Sequence, residues 1–535
     1  MIDFRKAILA FILSISLACT SVFAESPEKT RFGIGEENRY IPVQLLGIND
    51  FHGQIDVYQN IDGRKAGGAE YLAAYIKKHN QNNKNSLLVH AGDVVGASSP
   101  VSSLLQDEPT IEILNELGFD VGTVGNHEFD EGVDEMKRLI NGGSHEVTGD
   151  FEGADFPYTV ANVKDKKTGE PILPPYVTKR VNGMEIGFIG VVTTETKNIV
   201  LPSGIEDVEF TDEGEAINKA VKELKEKGVK SIIVLGHVPA SSNTDGTNPS
   251  GELAELAPEI DDEVDVIFGG HNHAYSNAIV DGKLIVQSYS YGTAFSDVDL
   301  MIDPKTKDIV KKQAKIVTTF HDSITPDAKV KEMVDQYKEE VGPLINEVVG
   351  ETSEPITREP DESGESPLGN LVADSQRASM ETDFAFMNPG GIRTDLDQGE
   401  TTWGELYTML PFGNNLVKMT LTGDQIKKLL EQQWNGGTKR ILQISGLKYT
   451  WDKSAPEGEK VLDMTDSDGS PIDPQKEYTV TVNNYIATGG DGFTILKEGA
   501  NQETGPLALD AMIDYMKNEN SPIEAPVIDR IQVKE

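Results

Sequence analysis

The chain has a single cysteine, Cys19, in 535 residues. So few thiols exclude a disulfide framework, and any metal must rest on nitrogen and oxygen ligands. Long apolar runs are scarce as well. The stretch 7–18 is too short to span a bilayer comfortably, and no second one follows it. Arg5 and Lys6 precede this stretch and Val22-Phe23-Ala24 follows it, the pattern of a cleaved secretory signal over residues 1–24. Without the signal no membrane-spanning segment is expected. Cys19 lies inside the segment, in Ser16-Leu17-Ala18-Cys19, so a lipid anchor at that cysteine is the alternative to secretion. Basic charge is also short: 48 Lys and Arg stand against 88 Asp and Glu, a net charge of −40. That balance opposes polymeric nucleic acid or an anionic membrane surface as the main partner, since both are polyanions. It does not oppose a small phosphorylated ligand, because bound cations and a few arginines can invert the local field. Internal repeats and long low-complexity tracts are absent. Nothing in the sequence speaks to oligomeric state.

A chain of this length exceeds one ordinary core, so at least two domains are expected. From 43 to about 320, short apolar strands alternate with polar helical stretches. Strands are expected at 43–48, 86–89, 121–124, 185–192, 231–235, 264–268 and 284–287. Helices are expected at 68–78, 110–117, 134–140 and 212–227. This is an α/β pattern of layered sheets. Residues 326–348 read as an exposed, charge-laced linker helix between a domain at 40–325 and a second at 349–535. The second domain reads as mixed: helices at 366–379, 423–434 and 507–517, strands at 442–449 and 478–482, and acidic loops at 359–365 and 463–474.

Five of the nine histidines fall in short segments with metal-ligand chemistry. These are Asn49-Asp50-Phe51-His52-Gly53, Gly92-Asp93, Gly125-Asn126-His127-Glu128-Phe129-Asp130, Gly236-His237 and Gly270-His271-Asn272-His273. Each follows an expected strand, where loops at carboxyl ends build sites. Asp50 and His52, like His271 and His273, stand two apart, so on extended chain both face one side. Asp93, in a glycine-flanked turn, can bridge two cations with its two oxygens. Asn126 offers an amide oxygen and His237 a further imidazole. The set suffices for two divalent ions, and its mixture of nitrogen and oxygen favours Zn, Mn, Fe or Co over Ca. His127 projects differently from Asn126. Asp130, three residues on, can hold its imidazole for work on a phosphoryl or leaving oxygen. A helix-start carboxylate is the plainer reading of Asp130. His90 reads as structural, and His79, His145 and His321 as surface residues.

These segments resemble the signature of the calcineurin-like metallophosphoesterases, in their extracellular 5′-nucleotidase branch. The resemblance extends through Gly364-Glu365-Ser366-Pro367-Leu368-Gly369-Asn370, Met387-Asn388-Pro389-Gly390-Gly391-Ile392-Arg393, Leu410-Pro411-Phe412-Gly413-Asn414 and Tyr485-Ile486-Ala487-Thr488-Gly489-Gly490-Asp491. It implies an N-terminal four-layer α/β/β/α domain and a C-terminal α+β substrate-binding domain. One metal would rest on Asp50, His52, Asp93 and His273, the other on Asp93, Asn126, His237 and His271. His127 and Asp130 would form a catalytic dyad. Phe412 and Tyr485 would clamp a nucleobase, with Asp491 on the sugar or base. Asn388 and Arg393 would meet phosphate, and Asn414 would complete the substrate pocket. The family's better-known members carry further arginines just before Leu368. Here that stretch reads Asp361-Glu362-Ser363-Gly364-Glu365, and the nearest arginine is Arg358. The expected activity is hydrolysis of nucleotides by metal-activated hydroxide: a secreted 5′-nucleotidase, with UDP-sugars as further substrates. A 2′,3′-cyclic-nucleotide 2′-phosphodiesterase with 3′-nucleotidase activity is the alternative. A non-catalytic extracellular metal-binding protein is the remote one.

Overall fold

The apolar runs of the first half pair into two six-stranded sheets. The computed structural model describes residues 39–81, 83–437, 439–518 and 522–534. The expected signal segment and Cys19 lie outside these residues. The first sheet runs in the order Ile309–Thr318, Ala294–Ile302, Ile41–Ile48, Ser86–Ala91, Val121–Thr123, Tyr158–Thr159. Its last four strands are mutually parallel, and Ala294–Ile302 joins antiparallel to Ile41–Ile48. The second sheet runs Tyr176–Val181, Met184–Val192, Ser231–His237, Val264–Phe268, Lys283–Ser288, Tyr275–Val280, with a parallel centre and antiparallel edges.

Parallel strands covered on both faces need apolar side chains on both, which is why 231–237 and 264–268 are buried throughout. Val43, Leu45, Val89 and Val121 of one sheet interleave with Phe188, Ile233, Leu235 and Phe268 of the other. Helices Ala69–Asn80 and Glu108–Leu117 cover the outer face of the first sheet through Leu72, Ile76, Ile113 and Leu114. Helix Glu213–Glu226 covers the second through Ile217, Val221 and Leu224. The result is the expected four layers, α/β/β/α.

The second half is α+β. A five-stranded sheet, ordered Gln443–Ser445, Phe384–Met387, Glu477–Asn483, Asn415–Thr422, Ala500–Leu507, carries helices Pro367–Met380, Gly423–Glu431 and Ala508–Asn518. The start of Pro367–Met380 is set by the Ser366 hydroxyl on the Gly369 N–H and by Pro367 in the first turn. Thr422 and Gln425 form a capping box at Gly423–Glu431.

Several readings are corrected. The helix at 423–434 ends at Glu431 and tightens into a 3₁₀ stretch. The strand at 442–449 breaks at Gly446, whose φ is +80°. The loop at 463–474 starts late, because strand Val461–Asp466 pairs with Leu447–Asp452. The charge-laced helix, Ala328–Ile345, is not simply exposed. It buries Val330, Val334 and Val341 in the core beneath the outer helices, and Asp327 pairs with Lys77 at 2.9 Å. The described residues from Ile41 onward form one compact unit. Among them no helix is long and apolar enough to cross a membrane.

Candidate metal centre and adjoining cavity

All seven expected ligands stand at or just beyond the carboxyl ends of central strands. Asp50, His52, Asp93 and Asn126 follow strands of the first sheet, whereas His237, His271 and His273 follow strands of the second. Five of the seven hold a left-handed backbone: Asp50, His52 and Asp93 near +50°, His273 at +54° and His271 at +80°. Such angles are costly for residues with a β-carbon and persist only where surroundings impose them. Cross-loop hydrogen bonds supply the restraint, from Asp50 N–H to the Gly92 carbonyl at 3.1 Å and from His52 N–H to that of Asp93 at 3.0 Å.

The side chains converge. His52 Nε2 lies 3.1 Å from His273 Nε2 and 3.7 Å from Asp93 Oδ2. His273 Nε2 lies 3.6 Å from Asp50 Oδ1. On the other side of Asp93, His237 Nε2 is 3.0 Å from Oδ2 and 3.2 Å from Asn126 Oδ1, which His271 Nδ1 approaches to 2.8 Å. Three overlapping groups of donors thus meet here, Asp50–His52–His273, His52–Asp93–His127 and Asp93–His237–His271, and each could hold a metal ion. The outer nitrogens agree with this. His52 Nδ1 donates to the Gly96 carbonyl and His237 Nδ1 to that of Ala91, each at 2.8 Å, leaving Nε2 of both free to face inward.

Packed so closely, these groups disturb one another. Burial pushes the Asp50 carboxyl up to about 7. Burial, with His127 as neighbour, holds His52 well below its usual value, and His273 is pushed down to about 3 by burial and Arg393. His271 falls to about 4 through burial and His237. Burial opposes ionisation of Asp93, but His237 and His127 together hold it well below the carboxylate range.

His127 lies beside this cluster. Its backbone N–H donates to Asp93 Oδ1 at 2.8 Å, and its Nδ1 stands 2.7 Å from Asp130 Oδ2. Burial opposes its protonation, yet Asp130 and Asp93 raise it to about 9. The imidazolium is the form this pocket favours.

Glu128, in the same motif, was not foreseen. Its buried carboxylate accepts the N–H groups of Asp93 at 2.9 Å, of Val94 at 2.8 Å, and of Gly125. It ties the Asp93 turn to the Asn126 turn. The signal lay in its place between His127 and Asp130, but a carboxylate serving backbone leaves no spacing pattern. Gly125 is required there, since a β-carbon would fall 2.2 Å from Asp93 Oδ1.

A cavity of about 410 Å³ opens over the centre. Asp93, Asn126, His127, Asp130, His271 and His273 form one wall, while Asn388, Arg393, Phe412, Asn414, Tyr485 and Asp491 form the other. Phe412 lies on the His127 ring at 5.9 Å between centroids, with the Arg393 guanidinium 5.7 Å above it. Tyr485 O–H reaches Asp491 Oδ1 at 3.1 Å, and Asn388 Nδ2 reaches its Oδ2 at 3.1 Å. Tyr291, passed over in the sequence, also lines this space, and so does Arg358, the arginine nearest the acidic stretch. Arg358 donates to the Ile392 carbonyl at 3.0 Å, one residue from Arg393. The acidic stretch after it therefore does not leave Arg393 alone.

Of the remaining histidines, His90 is structural as expected, whereas His79 and His321 are more engaged than expected. His90 is fully buried among Phe119, Phe156 and Tyr158, and burial pushes it down to about 3. His79 Nδ1 pairs with Asp297 at 2.8 Å, and His321 stacks on Tyr71 at 3.5 Å. Both are packed and not merely surface residues. His145 is partly buried and accepts the Val147 N–H at 3.1 Å.

Comparison with known proteins adds a second line. Residues 43–275 match the calcineurin-like phosphoesterase family, and residues 348–498 match the 5′-nucleotidase C-terminal domain. An endonuclease of Bacillus subtilis is 47% identical over 93% of this chain, which spans only 41% of that protein's length. A cell wall protein of Listeria monocytogenes is 39% identical over 90% of this chain and 68% of its own. The crystal structure of a 5′-nucleotidase precursor from Thermus thermophilus is similar throughout, with a TM-score of 0.78 and 29% identity over 92% of this chain and 99% of that one.

Proposed function

The chain belongs to the calcineurin-like phosphoesterases that carry a 5′-nucleotidase C-terminal domain, a family of metal-dependent hydrolases, and on that premise we propose that it releases phosphate from nucleotides outside the cytoplasm. One observation carries the substrate reading. A single cavity joins the nitrogen-oxygen centre and the His127–Asp130 pair to a wall with an aromatic ring, a guanidinium and amides. A nucleobase suits Phe412 and Tyr485 by stacking, worth roughly 1–3 kcal/mol per base. Phosphate suits Arg393 and Asn388.

On this reading two divalent ions would be held, one by Asp50, His52, Asp93 and His273 and the other by Asp93, Asn126, His237 and His271, with Zn, Mn, Co or Fe as candidates; clusters of these histidines and aspartates that could hold a metal support it. When bound, such ions supply Lewis acidity, activating water and offsetting charge on the phosphoryl oxygens. His127 is the general acid. Asp130 orients it through Nδ1, so that Nε2 faces the leaving oxygen and donates its proton. Arg393 holds the phosphate in line, and Phe412 shields it from water. Secretion is supported by the N-terminal apolar segment and by the cell wall relative.

The 47% identical endonuclease favours a second reading, in which the scissile bond is a phosphodiester. A hydrolysis panel, with nucleotide products resolved by chromatography and inorganic phosphate measured beside them, separates the two. It compares 5′-AMP, 3′-AMP, 2′,3′-cyclic AMP, ADP, UDP-glucose and a short single-stranded oligonucleotide, on enzyme reloaded with Zn, Mn or Co. Release from 5′-AMP that is lost in His127→Ala is expected. Turnover of only the cyclic nucleotide or the oligonucleotide would replace the first reading by the second.

A further inference from the structure

Tyr291 lines the cavity and touches both of its walls. It follows the strand Lys283–Ser288 in a turn, with a backbone φ of +60°. An aromatic residue holds that angle only under restraint. The restraint is visible: its N–H donates to the carbonyl of Asp50 at 2.7 Å, tying it to the first ligand loop. Its ring meets His52 and His273 edge-on, at 5.6 Å and 5.2 Å between centroids. Both imidazoles belong to the same proposed ligand group. Its hydroxyl then crosses the cavity to accept a hydrogen bond from Arg393 Nη2 at 3.4 Å. Arg393 comes from the 5′-nucleotidase C-terminal domain, 102 residues further along the chain.

Three contacts on one strained residue are unlike chance packing. They place a rigid two-rotor side chain between a pair of imidazoles and the Arg393 guanidinium, which itself lies over the Phe412 ring. A flexible arginine loses several rotors on binding phosphate. A hydrogen bond donated to a fixed hydroxyl orders it beforehand, which strengthens anion binding without any change to the chemical step.

We propose that Tyr291 is a positioning residue: its ring braces His52 and His273, and its hydroxyl aims Arg393 at the phosphoryl group held over them. This rests on the reading of the cavity as a phosphate site, not on which nucleotide enters it. The sharp variant is Tyr291→Phe, which keeps the ring and the backbone and removes only the hydroxyl. Inorganic phosphate, titrated calorimetrically into the metal-loaded full chain, is the probe. Its affinity should fall about five-fold, the loss of one modest hydrogen bond to a charged donor. KM for the best substrate in the panel, or for p-nitrophenyl phosphate, should rise by a similar factor with kcat within two-fold. In Arg393→Ala the added Tyr291→Phe change should cost nothing more, because its partner is gone. Tyr291→Leu, which also removes the brace, should in addition weaken metal retention against a chelator. Equal phosphate affinity in wild type and Tyr291→Phe, or additive losses in the double variant, would overturn the proposal. If no nucleotide is hydrolysed but phosphate affinity still depends on the hydroxyl, the nucleotide reading fails and this one stands.

Discussion

Single side chains in this protein act through the loops they fix as much as through the atoms they offer. Glu128 is the clearest case. Its carboxylate receives N–H groups from Asp93, Val94 and Gly125, and so keeps two ligand turns in register. Burial pushes it up to about 7, with the nearby charge of Asp93 adding to the shift, so three N–H donors are what keep an anion there tolerable. Glu128→Gln has the same shape but turns one acceptor into a donor facing backbone donors. Support for Asp93 should weaken, and metal affinity should fall about 10- to 100-fold, the range for residues that orient ligands without binding. Competition against a chromogenic chelator would measure it. Unchanged affinity would show that the backbone alone fixes Asp93.

At the scale of elements, a charged contact as well as apolar faces joins the two sheets. Asp265, on the buried strand Val264–Phe268, reaches Lys312 on Ile309–Thr318 of the other sheet at 2.9 Å, while its Oδ2 has no hydrogen-bond partner. Burial pushes its carboxyl up to about 7, against the opposing pull of Lys312. The folded state thus binds this proton more tightly than the unfolded chain does. Its contribution is fully present below the unfolded value of 3.8 and is lost as pH rises through about 7. Asp265→Asn should raise stability at pH 8 by on the order of 2 kcal/mol and change it little at pH 4. Denaturant unfolding at both values would show this, and a loss of stability at pH 8 would mean that the ion pair outweighs the burial. The strand that carries Asp265 was legible in the sequence because its other four residues, Val264, Val266, Ile267 and Phe268, are apolar. The neighbouring strands Ala294–Ile302 and Ile309–Thr318 were not. Half of the positions in Ile309–Thr318 carry polar or charged side chains, and its place is fixed by pairing with distant residues and not by local pattern. The seven candidate ligands were legible for a different reason: each would offer a specific donor atom at a strand end. Tyr291, Glu128 and Arg358 were not, since a tyrosine, a glutamate and an arginine become informative only once the loops around them are placed.

Over the whole molecule, the centre sits on the seam between the two sheets. Asp50, His52, Asp93 and Asn126 come from one, His237, His271 and His273 from the other. Any cation shared by these residues ties the sheets together at their carboxyl ends. Within this seam are a carboxylate raised by burial and several imidazoles lowered by it, in a chain of net charge −40. Two divalent ions would relieve the first strain and offset a little of the second. Metal removal should therefore act on folding as well as on turnover. An ion that binds only the folded state, at a thousand times its Kd, adds about 4 kcal/mol. Calorimetric melting in excess Mn or Zn should accordingly run several degrees above melting in EDTA. His237→Ala, which takes away one of the two imidazoles that the second sheet offers on the Asp93 side, should shrink that difference. A midpoint that ignores the chelator, in protein shown to have bound metal, would mean that the loops are already fixed by their own hydrogen bonds and that the ions serve chemistry alone.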